Sequence, residues 1–191
     1  SITGLEAVRS NVAPLTTEAQ ELFAEHLRND DSTARRELYP QLREWVQTVE
    51  RGNIQLERIS KRGGIGQSLS DYGSQSRRAG PRYRGAKYAN QHIEGTTIQR
   101  GDTPAVVYVK DVRGEYPSCY EADTAEDGQP VDAVALNDPS RLPSEFVVDW
   151  DRHAQKSLVE PLRPLLATRF GGDVWSEIRH GHEQDTLDAF V

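Results

Sequence analysis

Arg58-Ile59-Ser60-Lys61-Arg62-Gly63-Gly64-Ile65, continuing through Ser68-Leu69-Ser70-Asp71-Tyr72 to Gly80-Pro81-Arg82-Tyr83-Arg84-Gly85-Ala86-Lys87-Tyr88, is the stretch around which the chain is organised. Between positions 51 and 100, ten Lys or Arg stand against three Asp or Glu, whereas the whole chain carries a net charge of −7. Cations are therefore concentrated on an otherwise acidic protein. Such a segment is the footprint of a surface that meets phosphate, because neutralising phosphates releases counterions and supplies sequence-independent affinity. A solvated basic loop would carry the same charge, so the order of residues within the segment has to decide between the two.

That order divides into three parts. Ile54 and Leu56 alternate with polar residues, which predicts a strand whose end, Arg58 to Arg62, leaves a sheet at one edge. Gly63-Gly64 breaks the pattern, Ser68 to Tyr72 suits a short helix, and Gly73 to Gly80 is a polar, turn-rich run holding Arg77 and Arg78. Pro81 suits the first turn of a helix running to about His92, where its missing N–H costs nothing. Arg84, Lys87 and Tyr88 lie three or four apart on that helix and are expected to share a face. The helix N-terminus adds backbone N–H groups suited to one more phosphate. Strand end, loop and helix start would thus track one sugar-phosphate backbone.

Ile59-Ser60-Lys61-Arg62, then Leu69-Ser70-Asp71-Tyr72, then Gly80-Pro81-Arg82-Tyr83-Arg84-Gly85-Ala86-Lys87, then Gly101-Asp102 before Val106-Val107-Tyr108-Val109, resembles the thumb of archaeal family B DNA polymerases in order and spacing. Gly4-Leu5-Glu6-Ala7-Val8-Arg9-Ser10 is similar to the strand by which that family's palm leads into its thumb. Asn11, Gly80 and Arg82 stand where the family has Asp, Pro and His. The resemblance implies an α+β fold: a helical thumb with a small antiparallel sheet and an edge strand belonging to the palm. It implies residues 1–12 as the end of the palm strand, 13–172 as the thumb and 173–191 as a C-terminal tail. It implies contacts to the backbone of double-stranded primer-template DNA from Lys61, Arg62, Tyr72, Arg77, Arg78, Arg82, Tyr83, Arg84 and Lys87. Contacts of that kind position a duplex without reading its sequence, and an Arg at position 82 can reach a phosphate or a minor-groove acceptor.

Composition bounds what else the chain can be. No run of eighteen apolar residues exists and no signal segment opens the chain, so neither a membrane helix nor secretion is expected. The single Cys119 excludes an internal disulfide and a Cys-based zinc site, and it is expected to be a buried, inert thiol. The absence of Met leads to the expectation of further sequence upstream of Ser1. Asp and Glu are scattered rather than gathered into the motifs that hold two metal ions for phosphoryl transfer. No catalytic residue and no cofactor are therefore expected in this segment, with magnesium belonging to the parent polymerase, a nucleotidyltransferase whose palm and exonuclease would be the partners of this piece. The resemblance places that parent in the cytoplasm, associated with the nucleoid. His180 and His182 lack a third ligand at fixed spacing and are not read as a metal site. Four Lys against nineteen Arg, with thirty acids, suggests a high-salt organism. There Arg's bidentate bonds would carry more of the phosphate affinity.

Elsewhere the apolar spacing is structural. Thr17-Glu18-Ala19-Gln20 has capping-box spacing ahead of Leu22, Phe23 and Leu27, and a second helix from about Ser32 carries Leu38, Leu42, Trp45, Val46 and Val49 on one face, with Pro40 implying a kink. Thr96 to Val112 reads as two strands around an Arg100-Gly101-Asp102 turn, and Glu115 to Ala122 and Val131 to Ala135 as shorter strands. Asp149 or Asp151 would cap a helix carrying Leu158, Leu162, Leu165, Leu166 and Phe170, interrupted by Pro161 and Pro164, with Trp150 and His153 as packing or surface residues. The final residues, Gln184, Leu187, Phe190 and Val191, resemble the box by which replication proteins bind the sliding clamp PCNA. One helical turn would point Leu187 and Phe190 into a single apolar pocket. Two other readings share this sequence: a separately encoded, non-catalytic accessory subunit, and a DNA-binding module unrelated to polymerases.

Overall fold

The computed structural model describes residues 12–71, 80–121 and 128–180. They form an α+β fold of two packed halves, one helical and one built on a four-stranded antiparallel sheet.

The helical half begins with α1 (Pro14–Glu25), where Pro14 occupies the first turn and Ala13 caps without a side-chain bond. The expected capping box at Thr17 lies inside this helix, because Thr16 has an inward task. Its Oγ1 donates to the carbonyl of Ser157 at 2.6 Å. That carbonyl is the one left without an i+4 donor by Pro161, which has no N–H. α2 (Asp31–Glu50) starts on Asp30, whose Oδ1 accepts from the backbone N–H groups of Ser32 and Thr33. The Ser32 hydroxyl and these N–H groups hold the Asp30 carboxyl well below the usual carboxylate range. The helix runs through Pro40, whose ring is on the exposed side. Leu38, Leu42, Val46 and Val49 are buried and Trp45 packs beside them, as the spacing requires. Gly52, at φ +70° with the Trp150 ring against it, turns the chain away.

One continuous helical stretch closes this half. It comprises α5 (Trp150–Ala154), a π turn (Gln155–Val159) and α6 (Glu160–Phe170), after which α7 (Val174–His180) folds back. Asp149 caps α5 by accepting from the Arg152 N–H at 3.0 Å. Leu158, Leu162 and Leu166 join the core of α1 and α2, and so do Val174, Trp175 and Ile178 of α7. Arg35 of α2 holds α7 and the end of α6 together through Glu177 and the Phe170 carbonyl.

In the sheet half, the strand expected around Ile54 and Leu56 is instead a single helical turn, α3 (Leu56–Ile59). Ile54 and Leu56 both pack toward the helical core, so burial rather than strand pairing accounts for their alternation. Strand β1 is reduced to Lys61–Arg62, antiparallel to the start of β2 (Ala105–Val112), which also pairs with β3 (Ala133–Leu136) and β4 (Phe146–Val148). The first of the two strands expected between Thr96 and Val112 does not form. The Asn90 side chain both donates to the Ile98 carbonyl and accepts its N–H, each at 2.7 Å, taking the place of a neighbouring strand. From Glu115 to Glu121 only a bridge between Cys119 and Pro130 is present, and Cys119 is partly exposed rather than buried. Helix α4 (Pro81–His92) lies across β2 and β3 over a core of Ile65, Tyr88, Val107, Val134 and Phe146.

Candidate nucleic-acid interface

Both residues of β1 are exposed, and their register separates them. Lys61 is opposite Val106 and shares a face of the sheet with it and Tyr108, while Arg62, opposite Ala105, points to the other face. The Arg62 guanidinium donates to the carbonyls of Thr103 and Asn137, each at 3.2 Å, and so lies across the open end of β2 and β3. Gly63 follows and is buried, and a Cβ there would fall 2.3 Å from a guanidinium nitrogen of Arg82. Arg82, in the first turn of α4, uses that space to donate from Nη1 to the Gly64 carbonyl at 2.8 Å. Its guanidinium also sits over the ring of Tyr83, 5.4 Å from the centroid, and Tyr83 packs against the sheet-half core. Arg62, Arg82 and Tyr83 are thus gathered where β1 meets the start of α4, while Lys61 points to the opposite face of the sheet.

The remainder of the helix is differently placed. Gly85 to Ala89 are buried, and Gly85 lies so close to β3 that an added Cβ would meet the Ala135 nitrogen at 2.9 Å. The face expected to carry Arg84, Lys87 and Tyr88 is therefore the face packed on the sheet. Lys87 is 9% exposed. Tyr88 donates its hydroxyl to the Pro117 carbonyl at 2.6 Å and meets Tyr120 and Phe146 edge-on, and burial pushes its phenol up to about 12. Arg84 is committed to Asp132, which it reaches through Nε at 3.0 Å and through Nη2 at 2.6 and 2.7 Å.

Asp132 is a hub that sequence reasoning missed. Besides Arg84 it accepts from Arg152 Nη1 at 3.0 Å and from the Tyr120 hydroxyl at 3.1 Å, joining α4, β3 and α5. Burial pushes the Asp132 carboxyl up, but the bonds and charges of Arg84 and Arg152 outweigh it and leave it below the ordinary value. Burial likewise works against the charged form of Arg84, and its bonds to Asp132 reverse the balance and raise it. One signal was available: Asp132 is a lone acid inside the apolar run Val131 to Leu136, and a carboxylate there has to be paired.

His153, expected on the surface or in packing, is fully buried at the seam between the halves. Its Nε2 accepts the Tyr108 N–H at 3.0 Å. Tyr108 falls between the part of β2 paired with β1 and the part paired with β4. The imidazole so completes the ladder where the strands leave a gap. Nδ1 carries the proton, beside the Ile59 carbonyl but without a bond of good geometry. Burial pushes the imidazole down to about 4. Tyr72, Arg77 and Arg78 lie outside the described residues, as do the palm-strand resemblance at 1–11 and the clamp-binding resemblance at Gln184, Leu187, Phe190 and Val191.

Among the described residues no His, Cys, Asp and Glu side chains gather into a candidate metal site, and no helix is long and apolar enough to cross a membrane. No family model and no curated protein matches the chain. Among solved structures, the family B DNA polymerase from the hyperthermophilic archaeon Pyrobaculum calidifontis is similar to it. The TM-score is 0.55 at 17% identity, over 80% of this chain and 18% of that one. The likeness is one of fold. This chain spans less than a fifth of the length of the polymerase it matches.

Proposed function

We propose that this chain is the thumb portion of a family B DNA-directed DNA polymerase, and that it grips primer-template duplex through its sugar-phosphate backbone. The observation that carries the proposal is the corner formed by Arg62 and Arg82. Arg62 and Arg82 are oriented by hydrogen bonds to backbone carbonyls rather than to carboxylates, with the Asp138 carboxylate near enough to feel the charge of Arg62. Arg84 of α4 and Arg152 of α5 share Asp132, which ties both helices to β3. An exposed Arg62 and a half-buried Arg82 held at one corner suit phosphate, which guanidinium groups contact with directed, charge-assisted bonds. The archaeal polymerase supports the proposal by sharing the fold.

On this reading the parent chain supplies the palm, the exonuclease and the two magnesium ions that catalyse nucleotidyl transfer. Arg77, Arg78 and Tyr72 extend the DNA contact, and the Gln184, Leu187, Phe190 and Val191 box binds PCNA. The test is a salt titration of binding to a recessed primer-template, with an Arg62→Ala, Arg82→Ala double variant beside the parent protein. Loss of two phosphate contacts should flatten the slope of log K against log salt by about 2 and weaken all duplex sequences alike. An unchanged slope, or strong sequence preference in the parent protein, would refute it.

A further inference from the structure

A second set of cations lines the cleft between the two halves. The cleft is a groove of about 560 Å3 whose rim holds Lys61 of β1, Arg152 of α5 and Lys156 of the π turn, while Pro81 and Pro161 contribute apolar wall. Its charges do not cancel. Arg84 and Arg152 share the single carboxylate of Asp132, and Lys156 is paired with Glu160, Nζ lying 2.9 Å from each oxygen. Lys61 has no ion pair among the described residues. The groove lining therefore holds three cations, Lys61, Arg152 and Lys156, and one carboxylate, Glu160, on a chain whose net charge is −7. A concave, partly apolar site with such an excess focuses positive potential.

We infer that this groove takes one nucleotide unit of a nucleic-acid strand, its phosphate between Lys61, Arg152 and Lys156 and its sugar against Pro81 and Pro161. The inference rests on the DNA-gripping reading and extends it to Arg152 and Lys156, which lie far beyond the basic stretch in the chain. Continuity favours a phosphodiester strand over an acidic peptide. Lys61 belongs to the groove, and the adjacent Arg62 turns to the opposite face of the sheet, toward the corner it shares with Arg82. A single backbone crossing β1 meets both. In the free protein Glu160 holds the Lys156 ammonium, so a phosphate has to compete with that carboxylate for it.

The test compares Lys156→Ala, Glu160→Gln and the Arg62→Ala, Arg82→Ala double variant in the full 191-residue chain. The probe is a fluorescein-labelled recessed primer-template, titrated over a series of salt concentrations. The side chains of Lys156 and Glu160 are each 44% exposed, so both single variants should unfold at the temperature of the parent protein. Lys156→Ala should weaken binding severalfold and flatten the salt slope by about 0.9, the loss of one phosphate contact. Glu160→Gln should tighten it. A merely structural ion pair would move both variants in the same direction. If neither single variant changes binding while the double variant weakens it, the groove is off the DNA path and the corner contact stands. If the double variant also binds normally, the DNA reading itself fails and the groove with it. Competition by an oligo-glutamate peptide as effective as DNA would reassign the groove to an acidic peptide.

Discussion

Replacing Asp132 by Asn keeps the shape of the hub and removes its charge. Arg84 Nε and Nη2 and Arg152 Nη1 would then face a neutral amide, whose NH2 also repels one of the donors now accepted by a carboxylate oxygen. Breaking a fully buried ion pair costs about 3–5 kcal/mol and an exposed one about 0–1 kcal/mol. The side chains involved are 12% exposed for Arg84, 27% for Asp132 and 31% for Arg152, which places this triad between those limits. The expected loss is about 2–3 kcal/mol. For a domain of this size that corresponds to a thermal midpoint lower by about 4–12 °C. Differential scanning calorimetry measures it directly, and adding Arg152→Gln to Asp132→Asn should cost less than the two separate losses combined, because the same contact is removed twice. A midpoint within about 1 °C of the parent protein would refute the idea that Asp132 fastens α4 to the sheet.

Gly85→Ala places a Cβ against the backbone of β3, and the overpacking should cost about 1–3 kcal/mol, partly offset by a better helix former, seen as a lower denaturant midpoint. Thr16→Val leaves the Ser157 carbonyl without its donor and should cost about 1–2 kcal/mol in the same assay. His153 titrates near 4 in the folded protein, below its ordinary 6.5, so the unfolded chain takes up a proton first as pH falls. Its contribution is complete above pH 6.5 and is lost as pH drops toward 4, about 2 kcal/mol of it between pH 7 and pH 5. Denaturant unfolding at the two pH values should show that loss in the parent protein, and the loss should shrink by about the same amount in His153→Gln, which keeps an acceptor for the Tyr108 N–H.

What was legible in the sequence was mostly local. Pro81 announced α4 because proline is favoured in the first turn of a helix, where its missing N–H is not needed, and the spacing of Leu38, Leu42, Val46 and Val49 announced α2 because one side of it has to be buried. Two expected strands do not form: Ile54 and Leu56 are covered by the helical core, and before Gly101 the backbone of the buried Ile98 is bonded to the Asn90 side chain instead of a strand. The candidate interface was legible as a charge excess but not as an arrangement. Arg84 and Lys87 sit three apart among basic neighbours, and nothing local says that Gly85 and Ala86 between them press that side of α4 onto β3. Asp132 and Arg152 become visible as partners of Arg84 only when residues far apart in the chain are brought together.

The most direct test of the proposed grip is amide chemical-shift mapping of the labelled chain as a recessed primer-template is titrated in. The largest changes should fall on Lys61 to Gly64 and on Arg82 and Tyr83, where β1 meets the start of α4. Changes centred instead on α2 or α7, with that corner unmoved, would contradict it.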